Sequence, residues 1–133
     1  MDFNQFKNYD WYVAVSRGGL APAYRLSQLT GHKEIDTIVA FSYDENNQAS
    51  DVTYVPKDYS HLNGMRVLLI DDLVDSGQTL EFVVNELKKF SPATLETFVV
   101  YKKDGSTFDP DYFVHAAPKD EWINFSNNLE DLF

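Results

Sequence analysis

The chain has 133 residues, 44% of them apolar and 24% charged, enough to bury a core and too apolar for a disordered tail. Its 11 basic and 21 acidic residues leave a net charge of −10, so its surface repels a nucleic-acid backbone, and no apolar run approaches the roughly 18 residues of a membrane helix. With no cysteine there is no disulfide, thiolate zinc site or cysteine nucleophile, and the first residues lack the basic start and apolar stretch of a signal peptide; the expectation is one cytoplasmic domain over residues 1–133.

Trp11 to Val15 is a short continuous apolar run, the pattern of a buried strand, and it ends at Ser16-Arg17-Gly18-Gly19. A helix is predicted over Ala21–Thr30, with Pro22 in its first turn, Gly31 just past its end, and Ala23, Leu26, Leu29 and Thr30 on one face. A second strand follows over about Asp36–Ser42, where Thr37, Val39 and Phe41 alternate with Ile38 and Ala40. Tyr43 to Gly64 is polar and irregular apart from a short strand at Val52–Val55; so long a connection reads either as a lid or as a surface excursion. Val67–Ile70 is the clearest buried strand. Leu80, Val83, Val84 and Leu87 then mark an amphipathic helix that Pro92 stops. Leu95–Tyr101 and Tyr112–Val114 are the last strands. Strands alternating with helices predict an α/β fold, a mostly parallel twisted sheet flanked by helices, whose ligands bind beyond the carboxyl ends of the strands.

The residues just after the clearest strand carry the chemistry. Asp71 and Asp72 place two carboxylates where the chain is expected to leave the pleat, suited to sugar hydroxyls or to a hard divalent cation. Asp75-Ser76-Gly77-Gln78-Thr79 then turns into a helix whose free amides and dipole favour an anion; Gly77 permits close backbone approach, and Ser76 and Thr79 offer hydroxyls. Acids for a diol beside amides for a phosphate describe a ribose phosphate. Each piece alone is commonly a turn or a helix cap; the whole string is not. The three histidines, His32, His61 and His115, are scattered at no ligand spacing and read as structural.

Val67 to Leu80, VLLIDDLVDSGQTL, resembles the 5-phosphoribosyl 1-pyrophosphate (PRPP) motif of type I phosphoribosyltransferases. Ala14 to Leu20, AVSRGGL, is similar to the pyrophosphate loop of the xanthine-guanine (6-oxopurine) branch of that family. Asp36-Thr37 through Phe41-Ser42-Tyr43-Asp44 looks like the start of that branch's flexible catalytic loop, and Tyr101-Lys102 with Asp120-Glu121-Trp122-Ile123 resembles its base site. Together these cover about Val13 to Phe125, in the family's order.

The resemblance implies the type I phosphoribosyltransferase fold and transfer of a phosphoribosyl group from PRPP to guanine, xanthine or hypoxanthine in purine salvage. Asp71 and Asp72 would hold the ribose hydroxyls with Mg2+ nearby, and Asp75 through Thr79 the 5′-phosphate. Asp75 would also accept the purine N7 proton. Ser16, Arg17 and Gly18 would bind pyrophosphate, in a stretch where the family often has a cis peptide. Ser42 and Tyr43 would begin the closing loop, making Arg17, Tyr43 and Asp75 the catalytic candidates. Lys102 would donate to the 6-oxo group, which an aminopurine lacks; Trp122 would stack on the base and Ile123 contact it through its backbone. Self-association is implied as well.

The two ends depart from the pattern. About ten residues precede Trp11 where the branch carries a helix-bearing segment, and Asn124-Phe125-Ser126-Asn127-Asn128 follows Ile123, with Ser126 where a proline usually stands. The expectation is therefore an intact PRPP half under a reduced hood. Two readings compete with the 6-oxopurine transferase: a regulatory module that keeps a PRPP or nucleotide pocket, and a transferase with a different acceptor base. A phospho-receiver domain, which also uses an acid pair and a strand-end lysine, places its acids after the first strand and has no use for the Ser76–Thr79 cradle.

Overall fold

The computed structural model describes residues 1–42, 52–125 and 128–133. Strand β1 spans Trp11–Ser16, β2 Ile35–Ser42, β3 Val52–Tyr54, β4 Arg66–Val74, β5 Thr94–Lys103 and β6 Tyr112–Ala117; helix α1 covers Leu20–Thr30 and α2 Gln78–Lys88. The sheet order is β3-β2-β1-β4-β5-β6, and every neighbouring pair is parallel except β2 with the edge strand β3. The order reverses at β1 and β4, the switch point beside which such sheets bind ligands.

The two central strands are buried as continuous runs, Tyr12–Val15 and Val67–Asp71, because both faces of the sheet are covered. On one face α2 presses Leu80, Val83 and Leu87 onto Val13, Val15, Ile38, Leu69 and Val99. On the other, α1 packs Ala23 and Leu26 with Tyr12, Ala14, Leu68, Ile70 and Phe98. Helix α1 ends as expected at Gly31, which adopts φ +76 and donates its N–H to the Ser27 carbonyl.

Several elements differ from the sequence reading. Leu29 is exposed rather than on the packed face of α1, and Pro22 takes part in its buried side. β4 does not stop at Ile70 but continues in register with β5 through Val74, and β5 itself runs to Lys103. The acid pair thus lies inside a strand, where the sequence reading had ended it at the first charged residue. In the connection 43–64, residues 43–51, on which the lid expectation falls, lie outside the described ones. The stretch 56–64 is no bare excursion, for Tyr59 and Leu62 are buried against the α2 face and the Tyr59 hydroxyl donates to the Thr37 carbonyl at 2.7 Å.

The ends also have work the sequence did not announce. A 3-10 turn over Phe3–Asn8 buries Phe6 edge-on against Phe98 and Tyr112, with ring centroids at 5.2 and 4.9 Å. Phe133 lies 5.1 Å from Phe3 and 5.5 Å from Phe98. Their aromatic rings cover the α1 face of the core.

Between β1 and α1 the chain doubles back against β4. A Cβ on Gly19 would fall 2.3 Å from the Ile70 carbonyl oxygen and 2.8 Å from that of Val15. Gly19→Ala is therefore expected to cost roughly 1–3 kcal/mol through forced backbone shifts. The check is the denaturant midpoint of the variant, which should fall with the slope unchanged.

Candidate active site

The β1–β4 ladder ends at the pair Ala14–Ile70, whereas β4 stays paired with β5 to Val74. Residues 71–74 therefore have a free edge facing the end of β1. Into that space turns the Ser16–Gly19 loop, whose Ser16–Arg17 peptide is cis. Gly18 packs against the acid pair so closely that a Cβ there would meet the Asp72 carboxylate at 2.5 to 2.7 Å. A cleft of about 760 Å³ results, bounded by Ser16, Arg17 and Gly18 on one side and by Asp71–Gly77 and Thr79 on the other. The end of β2 closes its far wall, with the Ser42 hydroxyl 3.1 Å from that of Thr79.

The loop into α2 is held from behind. Gly77 adopts φ +93, and a Cβ on it would fall 2.5 Å from the Phe108 Cβ, so both conformation and space require glycine. Thr107 donates its backbone N–H and its hydroxyl to the Ser76 carbonyl, at 3.1 and 2.9 Å. The Ser76 hydroxyl accepts from the Gln78 N–H at 3.3 Å. The first-turn amides of α2 thus begin at a fixed loop on the cleft wall, a ready anion site.

Asp71 is buried and Asp72 half-buried, and the Asp72 N–H donates to Asp71 Oδ1 at 2.8 Å. Burial, and then the charge of Asp72, push the Asp71 carboxyl well above the ordinary carboxylate range. Asp75 is exposed at the cleft, with its Oδ2 3.9 Å from the ammonium of Lys103. Among the described residues, the charged groups lining the cleft are three carboxylates, Asp71, Asp72 and Asp75, and one guanidinium, Arg17. Among the described residues no three His, Asp or Glu side chains gather to hold a metal ion by themselves. The histidines are engaged elsewhere: His32 against the Tyr12 ring, His61 against Asp36 and Trp11, His115 against Tyr101.

Of the sequence-predicted residues, Ser16, Arg17, Gly18, Asp71, Asp72, Asp75, Ser76, Gly77 and Thr79 line this one cleft, and Gln78 starts the helix beside it. Tyr43 lies outside the described residues. The base trio does not join them. Lys102 sits within β5 rather than after it; its ammonium pairs with Asp109 and lies 5.5 Å from the centroid of Phe113. Trp122 is 82% exposed, with its indole N–H donating to Asn124 Oδ1 at 3.1 Å, and Ile123 is half-buried. The sequence reading missed Lys103, Thr107 and Phe108, which back the loop into α2. The adjacent lysines at a strand end were the available signal for the first, since strand neighbours point to opposite faces; nothing local marked the other two.

The phosphoribosyl transferase domain family matches residues 3–133. The xanthine-guanine phosphoribosyltransferase of Idiomarina loihiensis is 34% identical over 119 residues, 90% of this chain and 71% of that protein. Among solved structures, the Helicobacter pylori xanthine-guanine-hypoxanthine phosphoribosyltransferase is 30% identical at a TM-score of 0.72, covering 92% of this chain and 79% of that one. A hypothetical protein from Neisseria gonorrhoeae with bound ppGpp is 25% identical at a TM-score of 0.76, covering 98% and 84%. With its switch-point cleft and these matches, the chain belongs to the phosphoribosyltransferase domain family.

The raised Asp71 carboxyl has a consequence for stability. The folded chain keeps this proton past the pH, about 3.8, at which the unfolded chain releases it, so the Asp71 contribution falls as pH rises above that value. Asp71→Asn removes the ionisation and is expected to raise the unfolding temperature of chelator-treated protein at pH 7, with little change at pH 4. Equal shifts at both pH values would contradict this account of Asp71.

Proposed function

We propose that the chain is a Mg2+-dependent 6-oxopurine phosphoribosyltransferase, transferring the phosphoribosyl group of PRPP to guanine, xanthine or hypoxanthine. The observation that carries the reading is the single cleft in which an acid pair on β4 and the amide-rich loop into α2 face the Ser16–Gly18 turn. A diol, a 5′-phosphate and a pyrophosphate need these three groups in this arrangement.

The reaction is displacement of pyrophosphate from C1′ by a purine nitrogen, through an oxocarbenium-like transition state. In this reading Asp71 and Asp72 fix the ribose hydroxyls, and the Asp75–Thr79 loop fixes the phosphate, so the sugar is held while C1′ moves. Arg17 and the adjoining amides stabilise the departing pyrophosphate. Asp75 takes the proton from purine N7. Lys102, drawn from Asp109, donates to the 6-oxo group, and Trp122 supplies an apolar face to the ring.

Mg2+ fits the donor chemistry. Among the described residues, three carboxylates and one guanidinium leave the lining acidic, and PRPP is itself highly anionic. Asp71 and Asp72 would hold the ion together with ligand oxygens, the mode Mg2+ favours. When bound, it would neutralise charge on pyrophosphate and ribose oxygens.

A second reading, a regulatory module that binds a nucleotide in the same cleft, is supported by two observations: the likeness to a protein with bound ppGpp, and the position of Lys102 and Trp122 away from the cleft lining. One experiment separates the two. Protein is incubated with Mg2+, PRPP and, separately, guanine, xanthine, hypoxanthine, adenine, uracil and orotate, and pyrophosphate is measured; ppGpp binding is followed in parallel. Release with the 6-oxopurines alone is expected. Tight ppGpp or PRPP binding without release for any base would establish the regulatory reading. Lys102→Met is expected to raise the KM for base about tenfold or more, as for a lost charged hydrogen bond of ~1.5–3 kcal/mol, and to leave the KM for PRPP nearly unchanged. Equal losses for both substrates would make Lys102 structural.

A further inference from the structure

Lys103 is 8% exposed, an unusual position for an ammonium group, which keeps to water unless it is paired. It closes β5, and its partner differs from that of its neighbour: Lys102 takes the exposed Asp109, whereas Lys103 faces Asp75, with Nζ 3.9 Å from Oδ2. Asp75 lines the cleft and Lys103 does not. Among the described residues Lys103 is the charged group against Asp75, whose side chain is otherwise 63% exposed. At that separation the contact acts through charge and orientation more than through a short hydrogen bond.

The turn that follows Lys103 holds the same loop by separate means. The Ser106 N–H donates back to the Lys103 carbonyl at 3.4 Å, Thr107 donates twice to the Ser76 carbonyl, and Phe108 fills the space beside Gly77. Backbone contacts thus fix Ser76 and Gly77, and they leave the carboxylate of Asp75 to be aimed by something else. It stands near two more carboxylates on a wall that must receive an anion, where an unpaired acid is the least favourable neighbour.

We propose that Lys103 is a positioning residue of the nucleotide site. From behind the cleft wall it holds the Asp75 carboxylate in place and offsets the excess negative charge of Asp71, Asp72 and Asp75. The inference deepens the transferase reading and rests on it for the role of Asp75 as proton acceptor. The ion pair itself is tested by binding, without turnover.

The test is a double-mutant cycle over wild type, Lys103→Met, Asp75→Asn and the double variant. Two quantities are read with Mg2+ present: GMP affinity by calorimetry, and pyrophosphate release from PRPP with guanine. Lys103→Met is expected to weaken GMP binding about tenfold when Asp75 is present and less than threefold in the Asp75→Asn background, the non-additivity of a coupled pair. Lys103→Arg keeps the charge and is expected to retain GMP affinity within about threefold, whether or not Lys103→Met folds; a tenfold loss in Lys103→Arg overturns the proposal. Equal losses in both backgrounds overturn it too, even if wild type releases pyrophosphate normally. The expected coupling without pyrophosphate release for any base would overturn the transfer reaction and uphold Lys103 as a positioning residue. No GMP binding by wild type overturns both.

Discussion

The site exists because β4 outlasts β1. Two parallel neighbours that ended together would leave a flat sheet edge. Here the ladder with β1 stops at Ile70 while β5 carries β4 on to Val74, so the acid pair is held rigidly on one side and left free on the other. The vacated edge is filled by the Ser16–Gly19 turn, and it can be filled only because two consecutive residues have no side chain. Gly19 clears the carbonyls of Ile70 and Val15, and Gly18 clears the carboxylate of Asp72. One mismatch in strand length thus sets the acid pair, the Ser16–Gly19 turn and the start of α2 around the same space.

That geometry carries an electrostatic cost which the rest of the cleft answers. Extending β4 through Asp71 buries a carboxyl beside a second one, which raises the pH at which the first ionises. The lining remains acidic, with Arg17 the one cation among its described members. In the proposed reading a ligand rich in phosphate would draw positive charge from three further directions: the amides of α2, a bridging divalent cation, and a lysine placed behind the wall. The last of these is what Lys103 supplies, within a chain whose net charge is −10.

Most of the lining of the cleft was legible because its residues lie in two short stretches and belong to backbone and turn types, which sequence spacing records. Where strands ended was not legible, since charge inside β4 and β5 was taken as the end of each; tertiary pairing overrode that local signal at Asp71, Asp72, Lys102 and Lys103. The burial of Tyr59 and Leu62 was hidden in a polar stretch whose pattern has no period, because each residue is held by a distant partner, such as the Thr37 carbonyl. The two ends read as a reduced hood, and nothing local in them marked the contacts of Phe6 and Phe133 with Phe98 in the core. Leu29 went the other way, an apolar residue at helical spacing that the sheet does not cover.

The two halves of the site differ in what builds them, and this bears on how they communicate. Glycines, carbonyls and helix amides shape the half proposed for phosphate, and these are part of the fold itself. Side chains on and after β5 would shape the half proposed for the base: Lys102 is engaged by a surface acid and Trp122 is open to solvent. A surface ion pair of that kind contributes little stability, so Lys102 is cheap to redirect. Yet Asp109, its partner, adjoins Phe108, which packs on Gly77, and Thr107, which holds the Ser76 carbonyl. The same turn that restrains Lys102 therefore buttresses the loop into α2. Movement of Lys102 toward a base would act next to the one segment on which the phosphate loop leans, and the rigid half and the adjustable half meet at the β5–β6 turn rather than across the cleft.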